Sequence, residues 1–323
     1  MEWLTYLLSA VLAALMPTHA ASPIKWTALV GGATADTSIY ANAFFPRTLE
    51  IGVGDTVTWT FEGFHNVTFL SGAAAPPFAV PEGDKAYFNP QMLFPAGGRS
   101  YDGTGFYASG VPGPDGKLSY TLTFTKAGRY EYDCTIHAGM RGIVVVTDKP
   151  TGTPAAALQR GRAEQAATLA AGRAAFARLA VERHGSTFVV PLLGNSKQRY
   201  SVLRFTREPL VVPLGSTVTW AMRDTFEVHT VTFTSGEKPP AFVVPEPQSS
   251  GPPKLLLNPR ALTPTTATQY DGTGYVNSGM IFPPGNPAKL PSSYSLTFTT
   301  PGRFEYWCLI HADVGQRGTI VVQ

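Results

Sequence analysis

The sequence predicts an all-β protein built from two Greek-key units of one kind joined by a helix. Three observations carry this: a long internal repeat, short alternating runs between Gly- and Pro-rich turns, and an Ala/Arg-rich stretch between the copies that lacks the alternation. In the repeat, Gly54-Asp55-Thr56-Val57-Thr58-Trp59 answers Gly215-Ser216-Thr217-Val218-Thr219-Trp220, and His65-Asn66-Val67-Thr68-Phe69 answers His229-Thr230-Val231-Thr232-Phe233. The order continues with PPFAVPE and PPAFVVPE, then YDGTGFYASG and YDGTGYVNSG, then LTFTKAGRYEYDC and LTFTTPGRFEYWC. A repeat this long means duplicated domains and not a solenoid. Runs such as Thr56 to Phe61 and Tyr120 to Phe124 alternate with period two, the mark of half-buried strands. Each copy closes on a β-branched run, Gly142 to Val146 or Gly318 to Val322, so a sandwich or barrel is expected.

Residues 1–20 carry an apolar run from Trp3 to Met16 followed by Thr18-His19-Ala20, which reads as a secretory leader cleaved after Ala20, although its start has Glu2 and no Lys or Arg. The first unit is expected over 21–148 and the second over 186–323, with a helical linker over 149–185. In the linker, Leu169, Phe176 and Leu179 fall on one helical face, to be packed against a domain. No later segment has the length of a membrane helix. The export this implies leaves the periplasm, the cell envelope or the exterior as locations.

Apolar residues make up 44% and charged ones 15%, which excludes a disordered or coiled-coil chain. Lys plus Arg against Asp plus Glu run 8 to 11 over 21–148, 6 to 2 over 149–184 and 11 to 8 over 185–323. This asymmetry biases encounter with charged partners, and no basic block points to nucleic acid. The two cysteines are too few for a disulfide framework and sit at matching places in the halves, so each needs its own explanation.

That explanation is a metal. Cys134-Thr135-Ile136-His137-Ala138-Gly139-Met140 follows a strand and lies about 70 residues beyond His65. A thiolate, two imidazoles and a weak axial thioether suit a mononuclear blue copper site. A short loop can hold Cys134, His137 and Met140 around one point while His65 arrives from another strand. The second unit keeps His229, Cys308 and His311, but its loop is two residues longer and has no methionine. Counting from the cysteine puts Val314 at the axial place; counting back from the shared Arg-Gly puts Gln316 there, the favoured register. Two further outcomes stay open, a three-coordinate centre and a copy without copper.

The Cys-x2-His-x2-Met loop, the upstream histidine and the GDTVTW strand resemble the cupredoxin family of plastocyanin, pseudoazurin and amicyanin, over 25–148 and again over 186–323. The resemblance implies Greek-key β-barrels, type 1 copper at His65, Cys134, His137 and Met140, and His137 and His311 facing solvent as the electron's exit. With Gln316 axial, the second loop is similar to that of the stellacyanin-like phytocyanins.

All six histidines are then accounted for: four as ligands, His19 in the leader and His184 at the end of the linker. His-x-His pairs, which multicopper oxidases need, are absent from the sequence, so no enzyme activity toward oxygen or nitrite is expected. The expected function is one-electron transfer through two Cu(I)/Cu(II) sites to redox protein partners. The alternative is an envelope copper-sequestering or copper-delivery protein, marked by slow electron exchange and rapid Cu(I) hand-off. A surface module of binding barrels would hold no metal. Asp102 and Asp271, in the repeated Tyr-Asp-Gly-Thr-Gly turn, are turn formers first and candidates for a loop framing the metal edge.

Overall fold

The computed structural model describes residues 22–113, 116 and 118–323. The leader read over 1–20 lies outside the described residues. The protein is mostly β.

The first unit packs two mixed sheets on each other. One orders Ser100–Tyr101, Ser119–Phe124, Thr56–Glu62, Lys25–Gly31 and Phe44–Phe45; the other orders Thr48–Gly52, Arg141–Thr147, Gly128–Asp133, Thr68–Phe69, Tyr107–Ser109 and Pro95–Ala96. The period-two pattern does what it predicts: Val57 and Trp59 point inward, and Trp59 lies at the centre of Phe69, Tyr120, Phe124 and Tyr132. The second unit repeats the plan. Thr187–Leu192, Thr217–Met222 and Ser293–Phe298 form the middle of one sheet, and Leu210–Val212, Arg317–Val322, Gly302–Trp307, Thr232–Phe233 and Val276–Asn277 form the other. There Trp220 takes the place of Trp59, against Phe233, Tyr294 and Tyr306.

Two expectations need correction. The sheets are open sandwiches and do not close into barrels: most edge strands are only two to three residues long, and one of them, Phe44–Phe45, packs Phe44 on Tyr132 of the facing sheet and lies against the linker helix as well. The linker is also shorter in helix than expected. Its helix runs Pro154–Ala177, capped by the Thr153 side chain, whose Oγ1 accepts from Ala156 N. Glu182–His184 pair instead with Thr187–Leu192, through a turn at Gly185 whose φ of 62° ends any helix. Leu169 and Phe176 share a face as expected, packed on Ile39, Tyr200 and Val202, while Leu179 is buried beyond the helix end. That face touches both units.

Two further sheets join the halves. Tyr200–Val202 pairs with Ile39–Ala41, and the hairpin Val243–Glu246 with Lys254–Leu257 meets the hairpin Ala79–Glu82 with Lys85–Phe88 where Leu256 pairs with Tyr87. The repeated Pro-rich segments therefore build the junction. Beneath it Phe88, Met92, Leu93 and Leu257 form a shared apolar cluster that reaches Ile136 of the Cys134 loop.

Candidate metal centres

Each centre forms where two neighbouring strands of the second sheet end together. Thr68 pairs with Asp133, so His65 just before one strand and Cys134 just after the other become neighbours; Thr232 pairs with Trp307 and does the same for His229 and Cys308. Two backbone hydrogen bonds close each cysteine loop. Cys134 N donates to Met140 O at 2.8 Å and Met140 N to His137 O at 3.1 Å. In the second unit Cys308 N donates to Gln316 O at 3.0 Å and Gln316 N to His311 O at 3.1 Å. Gln316 thus occupies the place of Met140. The two extra residues are absorbed by the single turn Ala312–Val314 and by Gly315, whose φ of 81° favours glycine. The Val314 carbonyl meanwhile accepts from Thr37 Oγ1 of the first unit.

In the first centre His65 Nδ1 and His137 Nδ1 are 3.0 Å apart, and Cys134 Sγ lies 3.9 and 3.5 Å from them. In the second, Cys308 Sγ lies 3.9 Å from His229 Nδ1 and 3.4 Å from His311 Nδ1, and Gln316 Oε1 is 3.1 and 2.9 Å from the same two nitrogens. Ligands at bonds of about 2.0–2.3 Å around one ion are separated by roughly 3.3–3.8 Å, so both sets fit a metal with small shifts, the nitrogens and oxygen moving apart and the sulfur slightly closer. The Nδ1 atoms face inward in both. Met140 is buried beside Cys134.

Charge favours the thiolates. Burial raises the Cys134 thiol, but the hydrogen bond and charge of His137 outweigh it and leave the thiol lowered. Burial raises Cys308 too, yet His311 and His229 hold it well below the ordinary range. His65 is driven well down by burial and by His137, so it stays neutral. Burial also opposes charge on His137, but Glu227 and Cys134 lift it to about 9. Deprotonated sulfur is the form that binds metal.

Sequence reasoning missed the residues that hold the donors in place. Asn66, next to His65, donates from Nδ2 to Thr135 Oγ1 at 2.8 Å and accepts Thr135 N at 2.8 Å, tying the cysteine loop to the histidine strand. Thr230 does this in the second unit: its Oγ1 accepts Leu309 N at 2.7 Å, and its backbone N–H donates to Cys308 Sγ at 3.3 Å. The available signal was a polar residue directly after each upstream histidine. Gly31 was missed as well. Its φ is 74°, and an added Cβ there would come within 2.5 Å of His65 Nε2.

Two expectations about the surroundings are overturned. His137 and His311 do not face solvent: their side chains are each 13% exposed, and both Nε2 atoms point to Glu227 at the junction of the units. The two sandwiches are packed with their metal ends together. The Tyr-Asp-Gly-Thr-Gly turns do not frame the metals. Asp102 and Asp271 fold their own turns by accepting from Thr104 and Thr273, and Gly103 and Gly272 lie against Tyr130 and Phe304, near the beginning of strands whose far ends carry the cysteines. Tyr132 and Tyr306 are core residues; Tyr130 and Phe304 are half-buried. His184 is exposed, 3.5 Å from Glu182.

A model of the copper-binding plastocyanin/azurin family matches residues 33–147. This part of the chain is a cupredoxin domain. Amicyanin from Paracoccus denitrificans is 35% identical over 100 residues, which are 30% of this chain, and the match spans about half (53%) of that relative. Solved structures that align with the chain include the Cu(I) form of an amicyanin mutant, at 22% identity and TM-score 0.26, covering 44% of this chain and 87% of that one. An oxidised amicyanin mutant aligns at 23% identity and TM-score 0.25, covering 44% and 86%. Copper, the family's metal, is one that the cupredoxin donor set of His65, Cys134 and His137 fits by softness and spacing.

Proposed function

We propose that the protein is exported and passes single electrons through two mononuclear copper sites. One is held by His65, Cys134, His137 and Met140, the other by His229, Cys308, His311 and Gln316. The observation that carries this reading is the congruence of the two centres: the same two inward Nδ1 atoms and thiolate, with Met140 and Gln316 in one backbone position. Bound copper supplies a couple that changes by one electron.

The chain's part is to keep the donors still and dry. His65, Cys134, His229, Cys308 and Gln316 are all buried, and Asn66 and Thr230 clamp the cysteine loops. Donors that cannot rearrange keep the reorganisation accompanying electron transfer small. The sequence's lack of further histidine pairs argues against an oxygen- or nitrite-reducing role, so the partners are taken to be redox proteins.

Metal analysis with visible absorption tests the reading. The mature protein is expected to bind two coppers and show an intense thiolate-to-copper band, and Cys134→Ser to remove one site while leaving the other. Two fully coloured sites in that variant would falsify the ligand assignment.

A further inference from the structure

The second unit reaches its upstream histidine by a longer path than the first. Six positions separate Trp59 from His65, whereas nine separate Trp220 from His229, and the longer loop carries Asp224 and Glu227. Counted back from the histidine, the place of Glu227 is Gly63 in the first unit. The repeat is therefore broken at the residue that stands between the two centres.

Glu227 is buried in the junction and held from both sides. Asn42 Nδ2, from the first unit, donates to Oε1 at 2.8 Å; Ser201 Oγ, from the second, lies 3.4 Å from the same oxygen. The backbone N–H of Glu227 donates to Asp224 Oδ1 at 3.1 Å, which fixes the loop. So anchored, Oε1 lies 3.5 Å from His137 Nε2 and Oε2 lies 3.8 Å from His311 Nε2. One carboxylate therefore lies between the two histidines, one oxygen towards each. A metal-binding histidine commonly gives its outer N–H to a carboxylate, which orients the ring and strengthens it as a donor. Here one carboxylate faces the outer nitrogens of both rings at ion-pair distance.

We propose that Glu227 couples the two centres: it orients His137 and His311 together and forms a polar bridge, ring to carboxylate to ring, across which an electron passes from one centre to the other within the chain. This rests on the copper reading above. With copper held by both sets of donors, the step would be a one-electron exchange in which one centre is oxidised and the other reduced. No bond forms or breaks, and the Nε2 protons stay on their rings.

Glu227→Gln tests the bridge because it keeps the size of the side chain but offers one acceptor oxygen, with an NH2 group facing the other histidine's N–H. In metal-free protein, nitrogen NMR should show the Nε2 signals of both His137 and His311 shifted by the substitution. This arm does not depend on copper. In the copper-loaded protein both sites should stay blue, both potentials should rise on loss of a negative charge, and internal electron transfer after fast reduction of one site should slow about tenfold or more. Glu246→Gln, which removes an exposed cross-unit ion pair that touches none of the ligands, should leave rate and potentials unchanged. A wild-type protein without two blue sites would defeat the copper reading, leaving the NMR result to decide the bridge. The bridge is overturned if only one histidine responds in the metal-free protein. It is equally overturned if both sites of Glu227→Gln remain blue with internal rate and potentials unaltered.

Discussion

Gln316 Oε1 lies within 3.1 Å of both histidine nitrogens of its centre, while its Nε2 is buried without a partner among the described residues. An unpaired buried amide nitrogen is costly, and on the two-copper reading proposed above the ligation of the oxygen would offset that cost. An amide oxygen is a harder donor than a thioether and favours the higher oxidation state, so the second centre should have the lower potential and feed the Met140 centre. Gln316→Met is expected to raise the potential of the second site and shift its spectrum, as voltammetry and absorption would record, while Val314→Ala leaves both in place. If Gln316→Ala and Gln316→Met both left the second site unaltered, the downhill order would lose its basis. At this scale the sequence was informative about donors and silent about their supports. His65, Cys134, His137 and Met140 stand in a recognisable spacing, but Asn66, Gly31 and Glu227 act through contacts that spacing does not encode.

Among the elements, the linker helix depends most on one small residue. Gly161 faces the Phe45-Pro46 backbone so closely that an added Cβ would lie about 2.8 Å from the Phe45 carbonyl. Gly172, three turns on, meets Ile39 and Tyr200 in the same way. The glycines lower helix propensity yet let the helix lie flat on both units. Gly161→Leu should therefore destabilise the protein by about 1–3 kcal/mol through overpacking, despite leucine being the better helix former, and denaturant titration would measure it. Unchanged or increased stability would mean that the helix is only loosely seated. Period-two alternation located the strands because alternate residues point to core and solvent whatever lies around them. It could not locate the linker's end, since Glu182–His184 are exposed and gain their strand only by pairing with Thr187–Leu192.

Over the whole molecule, the two units are joined by two shared sheets, the linker helix and the Phe88, Met92, Leu93 and Leu257 cluster. The ion pairs across the hairpins, Lys85 with Glu246 and Lys254 with Glu82, are exposed and contribute little at physiological salt. Apolar burial is the stronger joint. Calorimetry of the wild type should give one cooperative transition that high salt barely moves. Phe88→Ala should cost about 3–5 kcal/mol and begin to separate the transition into two. Two independent transitions in the wild type would show that the junction adds nothing.

By itself the sequence determined that one strand-and-turn pattern is written twice, that each copy carries two histidines and a cysteine of the kind a soft metal takes, and that the cysteine loops differ, with Met140 in one and Gln316 in the other. Those features are local or repeated, and alternation, turn residues and loop spacing express them wherever the unit is placed. Only the tertiary structure decided that the sandwiches stay open, that the Pro-rich hairpins join into one sheet, and that His137 and His311 turn inward to a common carboxylate. Asn42, Ser201, Glu227 and His137 come from separate stretches of chain that share no period, and their meeting is set by how two packed bodies fit together.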